Sequence, residues 1–354
     1  MAEIQNYQCP ACGAPLEYEA GTSKLHCPYC ESDFEIDELK SKEKESVVEE
    51  NQEDENLVEL SCTACGAKIV CQPTTAATSC PYCNNTAVVT TQFKGELKPD
   101  YIIPFAIKKE KAVLLLKEFY KGKPLLPKTF TSENSLQEVK GVYVPFYFFD
   151  GTADGSMSCK ASNSTSHRSG DYINTTTRHY DVQRAGTVDF YHIPADASKK
   201  MPDDLMDSIE PYDYSGLIPF STAYLPGYLA DKFDVTKEES TERACSRAKT
   251  SMQQLLRSTI NGYGSVTETG SHTSIKNLKA HYAFLPVWLI HTKWNGKDFL
   301  FAMNGQTGKF VGNLPASPFK LNLLTFGLTA GITALLVLTP IADFIVQIIN
   351  EFLA

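Results

Sequence analysis

The sequence of 354 residues lacks the short motifs by which several common enzyme classes are recognised. It has no Gly-x4-Gly-Lys-[Ser/Thr] loop for nucleotide phosphates, no His-Glu-x-x-His and no Gly-x-Ser-x-Gly. A Gly-x-Gly-x-x-Gly sequence after a predicted strand is absent as well. The sequence therefore does not favour a helicase, an ATPase or a hydrolase, and we expect a protein that is not an enzyme.

We expect no secretory signal, and few cysteines lie outside the first quarter of the sequence. Residues 1–7 contain neither a basic start nor an apolar run. Nine of the eleven cysteines precede residue 84. Cysteines that come in pairs in a chain without an export signal are typical of metal ligands, because the cytosol keeps thiols reduced.

The clustered cysteines form four Cys-x-x-Cys pairs arranged as two repeats. Ala-Cys-Gly-Ala occurs at 11–14 and 64–67, and Cys-Pro-Tyr-Cys occurs at 27–30 and 80–83, which indicates internal duplication. Two such pairs supply the four corners of a closed tetrahedral site. Iron in a rubredoxin-like site is an alternative, but the 14-residue gap between pairs favours zinc. We predict two zinc ions, one held by Cys9, Cys12, Cys27 and Cys30, and one by Cys62, Cys65, Cys80 and Cys83.

The cysteine-rich region is strongly acidic. Residues 1–92 contain 5 Lys and no Arg against 16 Asp and Glu, a net charge of −11. Proteins that bind nucleic acid neutralise phosphates with Lys and Arg. Nucleic acid is therefore an unlikely partner, and a basic protein partner suits this region better.

Changes in composition divide the chain into six segments. Residues 108–120 and residues 237–260 are each predicted to form a helix. Between them, aromatic and β-branched residues at 141–149 and 172–191 predict strands. Asn-Gly pairs at 295–296 and 304–305 predict turns between further strands. The expected fold class is two small tandem β zinc ribbons, then a mixed α+β domain and a C-terminal transmembrane helix. The predicted segments are zinc ribbon 1 (7–36), an acidic linker (37–56), zinc ribbon 2 (57–92), the mixed α+β domain (93–319), the transmembrane helix (320–342) and a short tail (343–354).

The transmembrane prediction rests on residues 321–342, which contain no charged residue. A helix of this length reaches about 33 Å, enough for a hydrocarbon core of about 30 Å. A buried helix of the globular domain is the alternative. Lys309 and Lys320 precede the span and no Lys or Arg follows it, which predicts a single-pass, tail-anchored protein of the cell membrane with cytoplasmic N-terminal domains.

The chain resembles a family of bacterial membrane proteins with transcription factor IIB-type zinc ribbons. The resemblance rests on the tandem ribbons and on the segments 140–146, 207–214 and 301–309, and it covers nearly the whole chain. Some members have names borrowed from primosomal helicases, and some are encoded beside phage-shock-type stress proteins. The resemblance implies a membrane-attached scaffold that recruits a protein partner at the lipid bilayer, with a role in envelope stress. A nucleic-acid-binding regulator is the alternative function.

Overall fold

We describe the protein from a computed structural model. The structure describes residues 2–5, 7–37, 46–48, 58–61, 68–71, 75–79, 86–89, 98–127, 130, 136–170, 172–199, 201–231, 233 and 235–338. Strands are the dominant element. They are β1 (Ala2–Gln5), β2 (Glu17–Glu19), β3 (Lys24–His26), β4 (Asp33–Glu35), β5 (Ser46–Val48), β6 (Val58–Ser61), β7 (Lys68–Cys71), β8 (Thr75–Ser79), β9 (Thr86–Val89), β10 (Tyr101–Ile102), β11 (Leu136–Ser169), β12 (Tyr172–Asp196), β13 (Ile218–Pro219), β14 (Leu229–Asp231), β15 (Ser265–Trp294), β16 (Lys297–Asn304) and β17 (Phe310–Gly312).

Four α-helices occur in the described part of the chain, and two of them confirm sequence predictions. They are α1 (Lys109–Phe119), α2 (Asp203–Ile209), α3 (Lys237–Ser258) and α4 (Pro318–Leu338). Helix α1 falls where apolar spacing predicts it. Helix α3 falls within 237–260, a segment predicted to be helical because it is rich in Glu, Arg and Lys and is followed by Asn261-Gly262. Helix α3 begins with a capping box, in which Thr236 accepts from the Glu239 amide while Glu239 accepts from the Thr236 amide.

Three sheets organise these strands. Twelve strands form one sheet whose main path runs β13-β10-β15-β11-β14-β8-β9-β1-β5, with β12 on β11, β16 on β15 and β17 on β16. Strands β2, β3 and β4 form a separate three-stranded sheet, and β6 and β7 form a hairpin. The hairpin β8–β9 belongs to the large sheet because Ala77 pairs with Ala230 of β14. Strand β5 lies inside the segment expected to be an acidic linker.

The inner parts of β11 and β15 are buried on both faces. Successive side chains of a strand point to opposite faces, so a continuous apolar run suits a strand that is covered on both sides. One face of β11 packs with Met206, Ile209 and Tyr212 and presents Val142, Val144, Phe146 and Phe148. The other face presents Tyr143, Tyr147 and Phe149 to a cluster that includes Leu16, Tyr18 and Leu25 of the N-terminal ribbon. The ribbon thus forms one layer of the hydrophobic core.

The outer parts of β11, β12 and β15 extend as a three-stranded arm. Helix α3 covers one face of this arm with Met252 and Leu256, which pack against Met157, Cys159 and Val182. The opposite face is polar, with pairs such as Ser164–Thr177 at 2.8 Å and Ser166–Thr175 at 2.9 Å. Gly155 permits the close approach of α3, because a Cβ atom there would lie 2.6 Å from Met252 Cγ.

The expected fold class is wrong. The described chain is mostly β-sheet with four helices, and the strand content far exceeds that expected for the mixed α+β domain. The difference arises chiefly in β11 and β12, which are 34 and 25 residues long. Strand β12 confirms the strand predicted at 172–191. The outer part of β11 is rich in Ser, Thr and Asn and has little apolar alternation, and its strand conformation depends on pairing with neighbouring strands.

The predicted transmembrane helix at 320–342 is also wrong. Helix α4 covers most of that segment, but within the part of the chain that the structure describes no helix is both long and apolar enough to cross a membrane. The first turn of α4 belongs to the folded domain, because Lys320 Nζ donates to the Leu126 carbonyl at 2.7 Å. The predicted localisation as a single-pass, tail-anchored membrane protein depends on the same helix and is therefore wrong as well. Positions 339–342 lie outside the described residues.

Candidate metal centre

Two similar turns of ribbon one bring four cysteines together. In the first turn, the Gly13 amide donates to the Cys9 carbonyl at 2.8 Å. In the second, the Glu31 amide donates to the Cys27 carbonyl at 2.9 Å. Gly13 and Glu31 both have positive φ, +75° and +57°, so the two turns share one backbone shape although only the first uses glycine. These turns aim both cysteine pairs toward one point.

The four sulfur atoms have the spacing of a metal site. The Sγ atoms of Cys9 and Cys30 are 3.5 Å apart, as are those of Cys12 and Cys27, and all four lie within 4.8 Å of one another. A disulfide would require about 2.05 Å. A tetrahedron with metal–sulfur bonds of about 2.3 Å has edges of about 3.8 Å. The four thiolates of Cys9, Cys12, Cys27 and Cys30 therefore fit one metal ion.

The thiols of this site do not ionise equally when no cation is present. The Ser32 hydroxyl and backbone amide lower the pKa of Cys30 to about 6. The Ala14 backbone acts to lower the pKa of Cys12, but burial and the thiols of Cys27, Cys30 and Cys9 raise that pKa to about 12. Full ionisation of the four thiols therefore needs a bound cation, and binding releases protons.

The second predicted quartet lies outside the described residues. Strands β6 and β7 flank positions 62–67, which contain Cys62 and Cys65, and β8 and β9 flank positions 80–85, which contain Cys80 and Cys83. The prediction of a second ion at these cysteines stays a prediction.

Ribbon one is attached to turns and loops that lie outside it in the chain, by side-chain and backbone contacts. Tyr7 Oη lies 2.7 Å from Thr222 Oγ1, the Tyr18 amide donates to the Pro226 carbonyl at 2.9 Å, and the Gly21 amide donates to the Phe105 carbonyl at 3.0 Å. Burial raises the pKa of Tyr18 to about 12. The metal centre therefore lies in a segment that is anchored to the rest of the fold.

A cleft of about 790 Å³ lies between ribbon one and the twelve-stranded sheet. Glu17, Glu19 and His26 line it from the ribbon, while Lys108 and Trp288 line it from the other side. The ion pair between Lys108 and Glu19 crosses the cleft and lowers the pKa of Glu19. This pair ties the ribbon to the start of α1.

Several side chains of ribbon one are exposed to solvent. Tyr29, between the two metal ligands of the second turn, is 74% exposed. Glu31, Asp33 and Glu35 follow it and are exposed as well. Residues 7–37 contain one Lys against six Asp and Glu, a net charge of −5. The exposed face thus combines an aromatic side chain with an acidic surface.

The sequence predicts the four cysteines that come together in ribbon one. It does not predict which residues of the ribbon are buried against the rest of the fold and which are exposed. Tyr18 and Tyr7 are part of the core, and no local pattern marks them as contacts of residues more than 200 positions away. The sequence marks Tyr29 only as the third residue of the repeated Cys-Pro-Tyr-Cys. A residue between two predicted metal ligands is expected to lie on a turn, and this position is the one feature that could have pointed to an exposed ring.

Fold and site together define a mostly β protein whose four-cysteine ribbon could hold one metal ion. The chain belongs to the family of the uncharacterised protein YdjG of Bacillus subtilis (strain 168). The two are 35% identical over 328 residues, which cover 93% of this chain and 95% of YdjG. No protein-family model matches the chain, and no solved structure matches it.

Proposed function

We propose that this protein is a zinc-stabilised scaffold whose ribbon one binds a basic segment of a partner protein. The observation that carries the proposal is the exposed Tyr29, held between two metal ligands and next to an acidic surface. A ring on a rigid turn loses little conformational entropy when it binds, and tyrosine is enriched among the residues that dominate binding energy at interfaces. The exposed Glu31, Asp33 and Glu35, which follow Tyr29 in the same ribbon, favour a partner with Lys and Arg.

Zinc is the metal we propose for Cys9, Cys12, Cys27 and Cys30, and also for the four cysteines of the second repeat. Four thiolates are the ligand set of structural zinc sites. Such a site has no open coordination position for water or substrate, so the ion stabilises the fold and takes part in no reaction. The proposed scaffold is accordingly not an enzyme.

Nucleic-acid binding is the second candidate function, and the charge of ribbon one disfavours it. Lys24, the single lysine of residues 7–37, lies 3.1 Å from Glu35. A phosphate backbone would meet the exposed carboxylates of Glu31 and Asp33, and Asp33 Oδ1 already lies 2.7 Å from His26 Nδ1. A ribbon that binds nucleic acid needs positively charged side chains, whereas ribbon one has a net negative charge.

The test compares two tyrosines with similar exposure. Tyr29 is 74% exposed on the ribbon, and Tyr191 is 71% exposed on β12. The zinc-loaded full-length protein serves as bait in cross-linking and affinity capture, with Tyr29→Ala, Glu31→Lys and Tyr191→Ala in parallel. We expect a basic partner whose recovery falls about tenfold with Tyr29→Ala and with Glu31→Lys and is unchanged with Tyr191→Ala.

Equal capture by all four proteins would contradict the proposal. A parallel titration with double-stranded and single-stranded oligonucleotides tests the alternative function. Binding that weakens steeply with salt and that is lost with Tyr29→Ala would favour the nucleic-acid function instead.

A further inference from the structure

Strand β12 forms an open edge of the three-stranded arm. In the described part of the chain it pairs only with β11, so its other side has no strand beside it. The ladder between the two strands is regular from the pair Gly151–Phe190 to the pair Ser169–Tyr172. Residues 172–181 are all exposed, and 172–190 contain no proline. A long, regular edge of this kind is a template for pairing with another strand.

The other edge of the arm, on β15, is interrupted. Its register with β11 shifts between Asp150 and Thr152 and again between Ser158 and Cys159. Within β15 itself, Asn277 has φ of +53°. Bulges and kinks of this kind turn an edge away from a partner strand. Of the two edges of the arm, β12 is therefore the one suited to pairing.

Alternate residues of β12 direct their backbone groups away from β11. The hairpin closes with a two-residue connection, so its closing pair Ser169–Tyr172 is a hydrogen-bonded pair. Even-numbered residues of β12 therefore bond to β11, and odd-numbered residues such as His179 point their N–H and C=O groups outward. The Gln183 carbonyl fits this assignment, because Arg184 Nη1 reaches it and donates to it at 2.9 Å.

We propose that the edge of β12 pairs with the same edge of a second copy of the chain, so that two arms form one continuous antiparallel sheet. A two-fold axis perpendicular to the sheet sets the two strands antiparallel, and the outward backbone groups of each copy then meet those of the other. Pairing of residues 173–187 forms about sixteen backbone hydrogen bonds. One edge thus serves both copies.

The side chains of β12 favour a second copy in one register, with Tyr180 opposite its own counterpart. On the face where α3 packs, the two Tyr180 rings meet at the axis, and Tyr172, 77% exposed, lies opposite Val188, 37% exposed. On the other face His179 lies opposite Asp181, where an imidazole N–H donates to the carboxylate. A register centred on Asp181 would instead set two carboxylates against each other.

Thr177→Pro tests the pairing. The Thr177 N–H points outward, so proline removes a donor that only the second copy uses and leaves the bonds to β11 in place. Thr177→Val is the matched control, because it keeps the N–H, and both variants lose the hydroxyl that lies 2.8 Å from Ser164 Oγ. By sedimentation equilibrium of the full-length, metal-loaded protein, we expect a dimeric wild type. The dissociation constant should be about tenfold weaker for Thr177→Pro than for Thr177→Val, since each dimer loses two hydrogen bonds.

A cysteine at the axis tests the register. Tyr180→Cys sets two cysteines directly opposite in a non-hydrogen-bonded pair, with Cα atoms about 4.5 Å apart, which is within disulfide reach. Thr176→Cys is the control on the same face of the same strand, because its two copies lie eight residues out of step, roughly 27 Å apart. With glutathione disulfide as oxidant, we expect a disulfide-linked dimer of Tyr180→Cys and none of Thr176→Cys.

Three results would overturn the proposal. The first is a monomeric wild type. The second is a folded Thr177→Pro protein that associates as tightly as Thr177→Val, because the contact then lies elsewhere on the chain. The third is equal cross-linking of Tyr180→Cys and Thr176→Cys, which also decides the matter if Thr177→Pro fails to fold.

Discussion

Ribbon one has two faces that differ in composition and in their relation to the fold. The inner face contributes Tyr7, Leu16, Tyr18 and Leu25 to the largest part of the core. The outer face exposes Tyr29 and the acidic side chains of Glu31, Asp33 and Glu35. Of the four candidate metal ligands, Cys9 and Cys27 are buried while Cys12 and Cys30 are exposed. A ribbon can therefore pack as a layer of a domain on one side and offer a surface for recognition on the other.

We expect the largest effect from loss of the metal, because unfolding of ribbon one would disrupt its buried face and its exposed face together. We expect Cys27→Ser to bind one metal ion fewer per chain than the wild type and to unfold ribbon one, because a structural zinc site contributes on the order of 10 kcal/mol. The bound metal is measured by atomic emission, and stability is measured by urea unfolding. Cys245→Ser is the control, since Cys245 lies on α3 away from the ribbon. Unchanged metal content in Cys27→Ser would contradict the assignment of the site.

The next effect separates the inner face from the outer face. Tyr18→Ala should lower the free energy of unfolding by about 3–5 kcal/mol, because it removes a buried ring that lies edge-on to Tyr224 at 5.3 Å. Tyr29→Ala should change it by less than about 0.5 kcal/mol, because that ring is exposed. Urea unfolding of the two variants gives the comparison directly. Similar losses in both would mean that the two faces are not distinct.

The smallest expected effect concerns the two turns that hold the metal. Gly13→Ala should destabilise the protein by about 1 kcal/mol, because Gly13 has φ of +75°. Glu31→Gly should stabilise it by up to about 1 kcal/mol, because Glu31 has the equivalent conformation with a side chain that disfavours it. Thermal unfolding of the metal-loaded variants measures both changes. Changes of the same sign in the two variants would show that the turns are not equivalent.

The ligands of ribbon one could be predicted from sequence because their geometry is local. Two cysteines separated by two residues share one turn, and the repeated Cys-x-x-Cys pairs needed only to be brought together. The helices α1 and α3 could be predicted for a similar reason, since the apolar stripe Ala244, Ala248, Met252 and Leu256 repeats every four residues. The turn at Asn295-Gly296, with φ of +48° and +72°, also follows from its own residues.

The outer part of β11 and the true context of α4 could not be predicted in this way, whereas β12 includes residues 172–191, which are predicted to be a strand. Ser164 and Thr177 form a strand pair because β11 and β12 are adjacent, not because of any apolar alternation. The uncharged segment that begins at Leu321 predicts a membrane span, but no helix in the described part of the chain is long and apolar enough to cross a membrane. The sequence also does not reveal that Lys320, just before this segment, binds the carbonyl of Leu126. Contacts between residues so distant in the chain leave no periodic pattern.

The sequence by itself determined the four thiolate ligands of ribbon one and the acidity of the ribbon, because ligand spacing and charge are properties of neighbouring residues. Only the tertiary structure decided which face of the ribbon is free. Tyr18 and Tyr29 are the same residue type in the same small ribbon, yet one is 4% exposed and the other 74%. The difference arises because the aromatic face of β11 needs a covering layer, and ribbon one provides it with Tyr18.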